Sequence, residues 1–192
     1  MVYRVRLPAN AYLGRERAGG KPGRGSDNKV PVVAAVSLSD KGHPLCVKVT
    51  QMPGFTNDAI ANWARSNLTS GTAVLSDGLA CFGAVTDAGR THTVEIVGKR
   101  KARDLPQFKW VNTVLGNLKT MLSGAYKSFG YSKYADHYLG VFAHRFNCRF
   151  DLANLVVRLV VDVRRTKATP LRVIRQAEVN SQSGGALYQL KV

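Results

Sequence analysis

The sequence predicts an α/β domain with a mixed sheet laid down in the order β-β-β-α-β-α-β and followed by helices. Three observations carry that expectation. Residues 30–38 are a nine-residue run, VPVVAAVSL, rich in β-branched side chains and too short for a helix, as in a strand buried on both faces. Residues 56–66 combine a capping Thr56 with apolar Ala59, Ile60 and Trp63 at helical spacing. Beyond residue 110 the apolar positions recur with a helical period, punctuated by Gly124 and Gly130.

Taken in order, residues 2–7 alternate apolar and basic side chains, which suits an exposed or edge strand. A loop over 14–28 follows, with Gly19, Gly20, Gly23 and Gly25 interleaved with Arg17, Lys21 and Arg24. The strand at 30–38 turns at Asp40-Lys41-Gly42 into a partner strand at 45–50, completing a three-strand meander. Phe55 and Ile60 have the spacing of a hydrophobic staple around the Thr56 cap. A strand is expected at 72–76, a short helix at 79–86 and a strand at 93–97. Helices are expected at 110–122, 133–146 and 152–164, with Pro170 closing the compact region. Residues 1–178 are expected as one domain and 179–192 as a flexible tail. This element order is that of the ribonuclease-H-like fold.

Composition narrows the partners. Lys and Arg number 28 against 12 Asp and Glu, a net charge of +16, which favours polyanions through counterion release. The basic residues fall in three segments, 4–29, 99–103 and 145–175, as expected of a broad basic face and not of a single tail. Cys46, Cys81 and Cys148 are widely spaced and odd in number, which excludes a disulfide framework or zinc ribbon and fits a reducing compartment. The charged N-terminus lacks the apolar core of a signal peptide, and no apolar run is long enough to span a bilayer. A cytoplasmic, nucleoid-associated protein is expected.

Asp77 ends the apolar run Thr72-Ala73-Val74-Leu75-Ser76, while Asn112 and Lys119 stand seven residues apart on the helix that begins near Trp110. A carboxylate at a strand mouth, an amide able to ligate a metal and a cation two turns further on suit metal-assisted cutting and rejoining of phosphodiesters. Taken alone, Ser76-Asp77-Gly78 is equally a turn, Asn112 a helix-start residue and Lys119 a solvated lysine.

The block LPQFKWVNTVLGNLKTMLSGAYKSFGYSKYADHYLGVFAHRFNCRFDLANL resembles the bacterial insertion-sequence transposases of the ISXO-like group, and the resemblance extends from about Pro8 to about Val179. It implies a ribonuclease-H-like catalytic domain with two aspartates, an asparagine and a lysine, acting on double-stranded DNA at element ends and target as a homo-oligomer with Mg2+ or Mn2+. Carried over by residue, the catalytic positions are Asp77, Asn112 and Lys119, with Asp77 and Asn112 as metal ligands. The first aspartate falls in a pattern of apolar, Asp, acidic, small, Tyr, aliphatic, Gly, Gly. Here that pattern reads Pro8-Ala9-Asn10-Ala11-Tyr12-Leu13-Gly14-Arg15, so Ala9 occupies the carboxylate position. Each departure is reachable by one nucleotide change, so the pattern reads as decay of a mobile element.

Two divalent ions about 4 Å apart repel by about 17 kcal/mol at an effective dielectric near 20. With Ala9 contributing a methyl group, Asp77 is the one carboxylate the motif keeps, and loss of two-metal occupancy is expected unless Glu16 or Asp27 substitutes. Candidate DNA-backbone contacts are Lys99, Arg100, Lys101, Arg103, Arg145 and Arg149. The family's aromatic-Arg-Phe-Asn-Arg-Arg-Phe segment reads His144-Arg145-Phe146-Asn147-Cys148-Arg149-Phe150 here. The glycine loop lacks the Lys-Ser/Thr of a phosphate-binding P-loop. His144 and Cys148 share a helical face but lack the further ligands zinc needs. The resembling proteins usually carry an upstream end-recognition segment, so this chain is expected to be N-terminally truncated. The rival expectation is a non-catalytic basic DNA-binding remnant; an RNA-binding protein ranks behind both, for want of a stacking motif.

Overall fold

The computed structural model describes residues 4–7, 11–14, 29–96, 98, 100, 105–126 and 131–176. The expected positions at Ala9, Lys99, Lys101 and Arg103, the substitutes Glu16 and Asp27, and the tail 179–192 lie outside the described residues.

The described strands form a six-stranded mixed sheet: β1 (Arg4–Arg6), β2 (Ala11–Leu13), β3 (Val30–Leu38), β4 (Pro44–Gln51), β5 (Ala73–Ser76) and β6 (Thr91–Val94). β3 pairs antiparallel with β4 on one side, and on the other with β1 and β2, which follow one another along its length. β1 then pairs parallel with β5, and β5 parallel with β6. The lateral order is therefore β4, β3, β1 with β2, β5, β6, that of a ribonuclease-H-like sheet. The apolar-basic alternation of β1 suited an exposed or edge strand; Arg4 is exposed, but the edge alternative is corrected, because β1 is central, between β3 and β5. Alternation reports only that one face is polar, whereas lateral position is set by pairing with distant segments.

Between Arg6↔Val36 and Ala11↔Val32 the first chain advances five residues while β3 retreats four. Such a one-residue slip transfers side chains to the opposite face. Val5 and Leu7 pack into one core cluster, whereas Leu13, also odd-numbered, packs into the other.

Helix α1 (Asn57–Asn67) and a 3-10 helix at Ala80–Ala88 cover one face, burying Ile60, Trp63, Phe82 and Val85 against Val33, Ala35 and Val74. Thr56 caps α1, its hydroxyl accepting from the Ala59 N–H at 3.3 Å, and Phe55 packs on the same core as Ile60. Tyr12 meets Phe55 edge-on at 5.6 Å, and Phe55 meets Phe82 at 6.3 Å, which ties β2 to this layer. On the other face α2 (Lys109–Met121) and α3 (Tyr131–Asn147) bury Val111, Val114, Leu118, Leu139 and Phe142 against Val32, Ala34, Val36, Val47 and Val49.

Several elements differ from expectation in detail. The segment after β5 is a 3-10 helix at Ala80–Ala88, and β6 begins at Thr91. Gly124 does not break the chain after α2, which continues through a π-helical turn at Leu122–Tyr126. Beyond Pro170 a further helix, α5 (Leu171–Gln176), follows α4 (Leu155–Arg165), and its Leu171 and Val173 are exposed. Proline at the position before a helix costs nothing, because the first turn leaves its amides unbonded.

Candidate functional site

Asp77 follows the last residue of β5 and is half-buried. Gly78 comes next with φ at +92°, a left-handed backbone that turns the chain away from the sheet. A Cβ there would sit 3.4 Å from Val94 Cγ1, in contact with β6, so the positive φ and not space is what favours glycine. The turn reading of Ser76-Asp77-Gly78 holds, and the turn leaves the Asp77 carboxylate at the strand mouth. Ser76 is fully buried, and its Oγ lies 2.8 Å from His92 Nε2 across the parallel pair. Burial lowers the His92 pKa below its usual value. Burial raises that of the Cys81 thiol, and Asp77, close enough to act on it, raises it further.

The sheet face on the α2 side is divided. Its β3–β4 half is filled by α2 and α3, whereas no helix among the described residues packs on the alternate positions over β1, β5 and β6. There Arg4 and Arg6 stand in register with Ala73 and Leu75, and these with Thr91 and Thr93. Arg4, Thr91 and Thr93 are exposed, and Arg6, Ala73 and Leu75 half-buried. Arg6 is held with its Nε buried and without a hydrogen-bond acceptor among the described residues. Burial, and after it the charge of Arg4, lowers its pKa. A half-sheet with two guanidinium groups and two hydroxyls beside Asp77 can take an anionic chain. The sequence held that signal in the spacing of Arg4 and Arg6, but reading β1 as an edge strand obscured it.

Asn112 lies in the first turn of α2 and Lys119 in its last, both exposed. They share the side of the helix away from buried Val111, Val114 and Leu118. The helix packs on β3, separated from β5 by β1. Asp77 and Asn112 together supply one carboxylate and one amide oxygen, too little negative charge for a pair of divalent ions. Among the described residues no three His, Cys, Asp or Glu side chains gather as a metal-binding group. His144 Nδ1 lies 4.0 Å from Cys148 Sγ and 3.7 Å from Asp162 Oδ2, and Cys148 is a buried free thiol.

The basic candidates divide by environment. Arg145 is exposed on α3. Arg100 pairs with Glu95 at 2.8 Å on the surface, a contact that water and salt weaken and a phosphate can replace. Arg149 is committed elsewhere, donating to the carbonyls of Pro44, Leu45 and Phe146 while its guanidinium stacks 3.9 Å from the Phe146 ring centre. Its neighbour Asn147 acts in the same way on β4. The Val47 N–H donates to Asn147 Oδ1 at 2.7 Å, and Asn147 Nδ2 donates back to the Val47 carbonyl at 3.0 Å. Asp136 accepts from the Gln51 N–H at 3.3 Å. The side chains of α3 thereby satisfy the outer edge of β4, which would otherwise offer unpaired backbone groups.

A mixed sheet in this order, with helices on both faces and a carboxylate just past the C-terminal end of the inner parallel strand, defines an α/β domain of the ribonuclease-H-like class. Within that class the family is specific: the ISXO2-like transposase domain matches residues 9–147, and the chain belongs to that family. The family makes this an insertion-sequence transposase domain with DNA as its partner. The match begins at Ala9 and ends at Asn147, the latch on β4. A search of curated proteins finds no match. No helix among the described residues is long and apolar enough to cross a membrane.

Proposed function

We propose that this chain is a degenerate copy of a transposase catalytic domain: it retains the DNA-binding scaffold and Asp77 but has lost the first metal-binding carboxylate, replaced by Ala9. The supporting observation is the motif itself, Pro8-Ala9-Asn10-Ala11-Tyr12-Leu13-Gly14-Arg15, set against a sheet that still holds Asp77 at its expected strand end. In this reading Asp77 and Asn112 are the remnant of the metal-binding set for Mg2+ or Mn2+, and Lys119 faces a phosphate as a point charge. Arg100 and Arg145, with Lys99, Lys101 and Arg103, contact the DNA backbone, and Arg4 and Arg6 join them. Arg149 serves β4 first. The protein acts in the cytoplasm on the nucleoid as a homo-oligomer on double-stranded DNA.

The test is strand cleavage of element-end DNA with magnesium or manganese, comparing the natural chain with Ala9→Asp. The natural chain should stay near background and Ala9→Asp should rise above it; adding Asp77→Asn should remove the gain. Equal cleavage by the natural chain and Ala9→Asp would overturn the assignment of degeneracy. A second reading, a non-catalytic DNA-binding remnant that occupies transposase complexes, is favoured by the net charge of +16 and the Arg4–Arg6 face. Binding that is steeply salt-dependent yet indifferent to metal, with no cleavage by Ala9→Asp, would select it.

A further inference from the structure

The turn that ends α3 wraps the outer edge of β4 in register. Asn147 is bonded to both backbone groups of Val47, at 2.7 and 3.0 Å, and the Arg149 guanidinium donates to the Leu45 carbonyl at 3.2 Å. Residue 47 is thus tied to 147 and residue 45 to 149, and the position each set brackets is a cysteine: Cys46 on β4 and Cys148 just after α3. From Cα to amide an asparagine spans only about 3 Å, so the two backbones run here at close range. The Cys46 backbone is fixed from its other side as well, its N–H donating to Ser37 Oγ at 3.0 Å. Burial raises the Cys46 pKa, the Arg149 guanidinium opposes that and the Cys148 thiolate adds to it, so the two sulfurs are near enough to act on one another.

Both are free thiols in different surroundings. Cys148 lines a cleft of about 220 Å³ beneath α4, with Arg158 Nη1 3.8 Å and His144 Nδ1 4.0 Å from its sulfur. The guanidinium sets positive charge beside the sulfur and the imidazole can take its proton, and a small oxidant can enter through the cleft. Cys46 lies half-buried on the strand, with Arg149 beside it.

We infer that Cys148 and Cys46 are a redox couple that a peroxide closes to a disulfide, fastening β4 covalently to the end of α3. His144 takes the Cys148 proton, and the thiolate attacks one peroxide oxygen. The O–O bond breaks, leaving Cys148 as a sulfenic acid and releasing hydroxide, which takes the proton back from His144 as water. The Cys46 sulfur then attacks the sulfenic sulfur and expels hydroxide, which leaves as a second water with the Cys46 proton. Two thiols are oxidised and one peroxide reduced. In a reducing compartment the dithiol is the resting form, so the bond answers an oxidant and is no part of the folding framework. Cys81 takes no part, because it packs in the core cluster of α1 on the other face of the sheet. The couple stands independently of whether the domain cleaves DNA.

The experiment treats the reduced, natively folded full chain with hydrogen peroxide, alkylates it and maps its peptides by mass spectrometry without reductant. A Cys46–Cys148 linked peptide within the monomer is expected, with two of the three thiols lost, Cys81 still alkylated and dithiothreitol restoring the original map. Cys46→Ser should stop at the Cys148 sulfenic acid, which dimedone traps, and Cys148→Ser should leave Cys46 as a thiol. A natural chain whose Cys46 and Cys148 both stay reduced would overturn the inference. So would linkage of either one to Cys81 or to a second chain alone, linkage seen only in urea, or Cys148 passing to sulfinic acid with Cys46 untouched.

Discussion

Replacing Asn147 with alanine should destabilise the domain by about 2–3 kcal/mol, from two hydrogen bonds at about 1 kcal/mol each plus part of the desolvation of the groups left behind. The amide bonds both backbone groups of Val47, at 2.7 and 3.0 Å, and holds the outermost strand of the sheet to the end of α3. The higher end of that range applies if water cannot follow into the half-buried gap. For a chain of this size 1 kcal/mol moves the melting temperature by about 2–4 °C, so a drop of about 4–12 °C is expected. Thermal and urea unfolding measure the loss, and hydrogen exchange at the Val47 amide locates it. Asn147→Asp keeps the acceptor for the Val47 N–H but turns a carboxylate oxygen on the Val47 carbonyl, so it should be destabilised as well. Arg145→Ala, at an exposed position on the same helix, should change stability by less than about 0.5 kcal/mol. The latch is refuted if Asn147→Ala stays within about 0.5 kcal/mol of the natural chain, or if stability falls while Val47 keeps its protection.

The other predictions concern the surroundings of Asp77. Gly78→Ala forces a side chain into a left-handed backbone at φ +92° and should cost about 1–2 kcal/mol in urea unfolding; a neutral outcome would mean the turn relaxes freely. Because burial lowers the folded-state pKa of His92, its contribution to stability is complete above the ordinary value of 6.5 and is lost as pH falls through the folded value. His92→Gln should therefore flatten the acid side of the stability profile, and an unchanged profile would assign the acid loss to other groups. Arg6→Gln should lower the salt slope of DNA binding by about one phosphate contact, read from binding isotherms at several ionic strengths; an unchanged slope would remove Arg6 from the interface.

Local chemistry was enough to read much of this protein. The run of β3, the Thr56 cap with its Phe55–Ile60 staple, the apolar faces of α2 and α3, and Asp77 at a strand mouth all follow from short-range spacing, because capping and side-chain periodicity act within a few residues. The roles expected of Ala9, Asn112 and Lys119 rest mainly on resemblance, since an alanine, an exposed amide and an exposed lysine are weak signals alone. What tertiary structure decided lies in contacts between distant segments. Pairing with β3 and β5 moved β1 from the edge to the centre and made Arg6 part of a candidate surface. Asn147 and Arg149 became latches on residues 100 and 104 positions away, where the arginine fork had suggested DNA contact for Arg149. Residues 152–164 were expected as a helix, but that α4 turns Asp162 toward His144 of α3 was settled by packing between the two helices. Periodicity shows that a helix has two faces; only packing against the rest of the chain chooses between them.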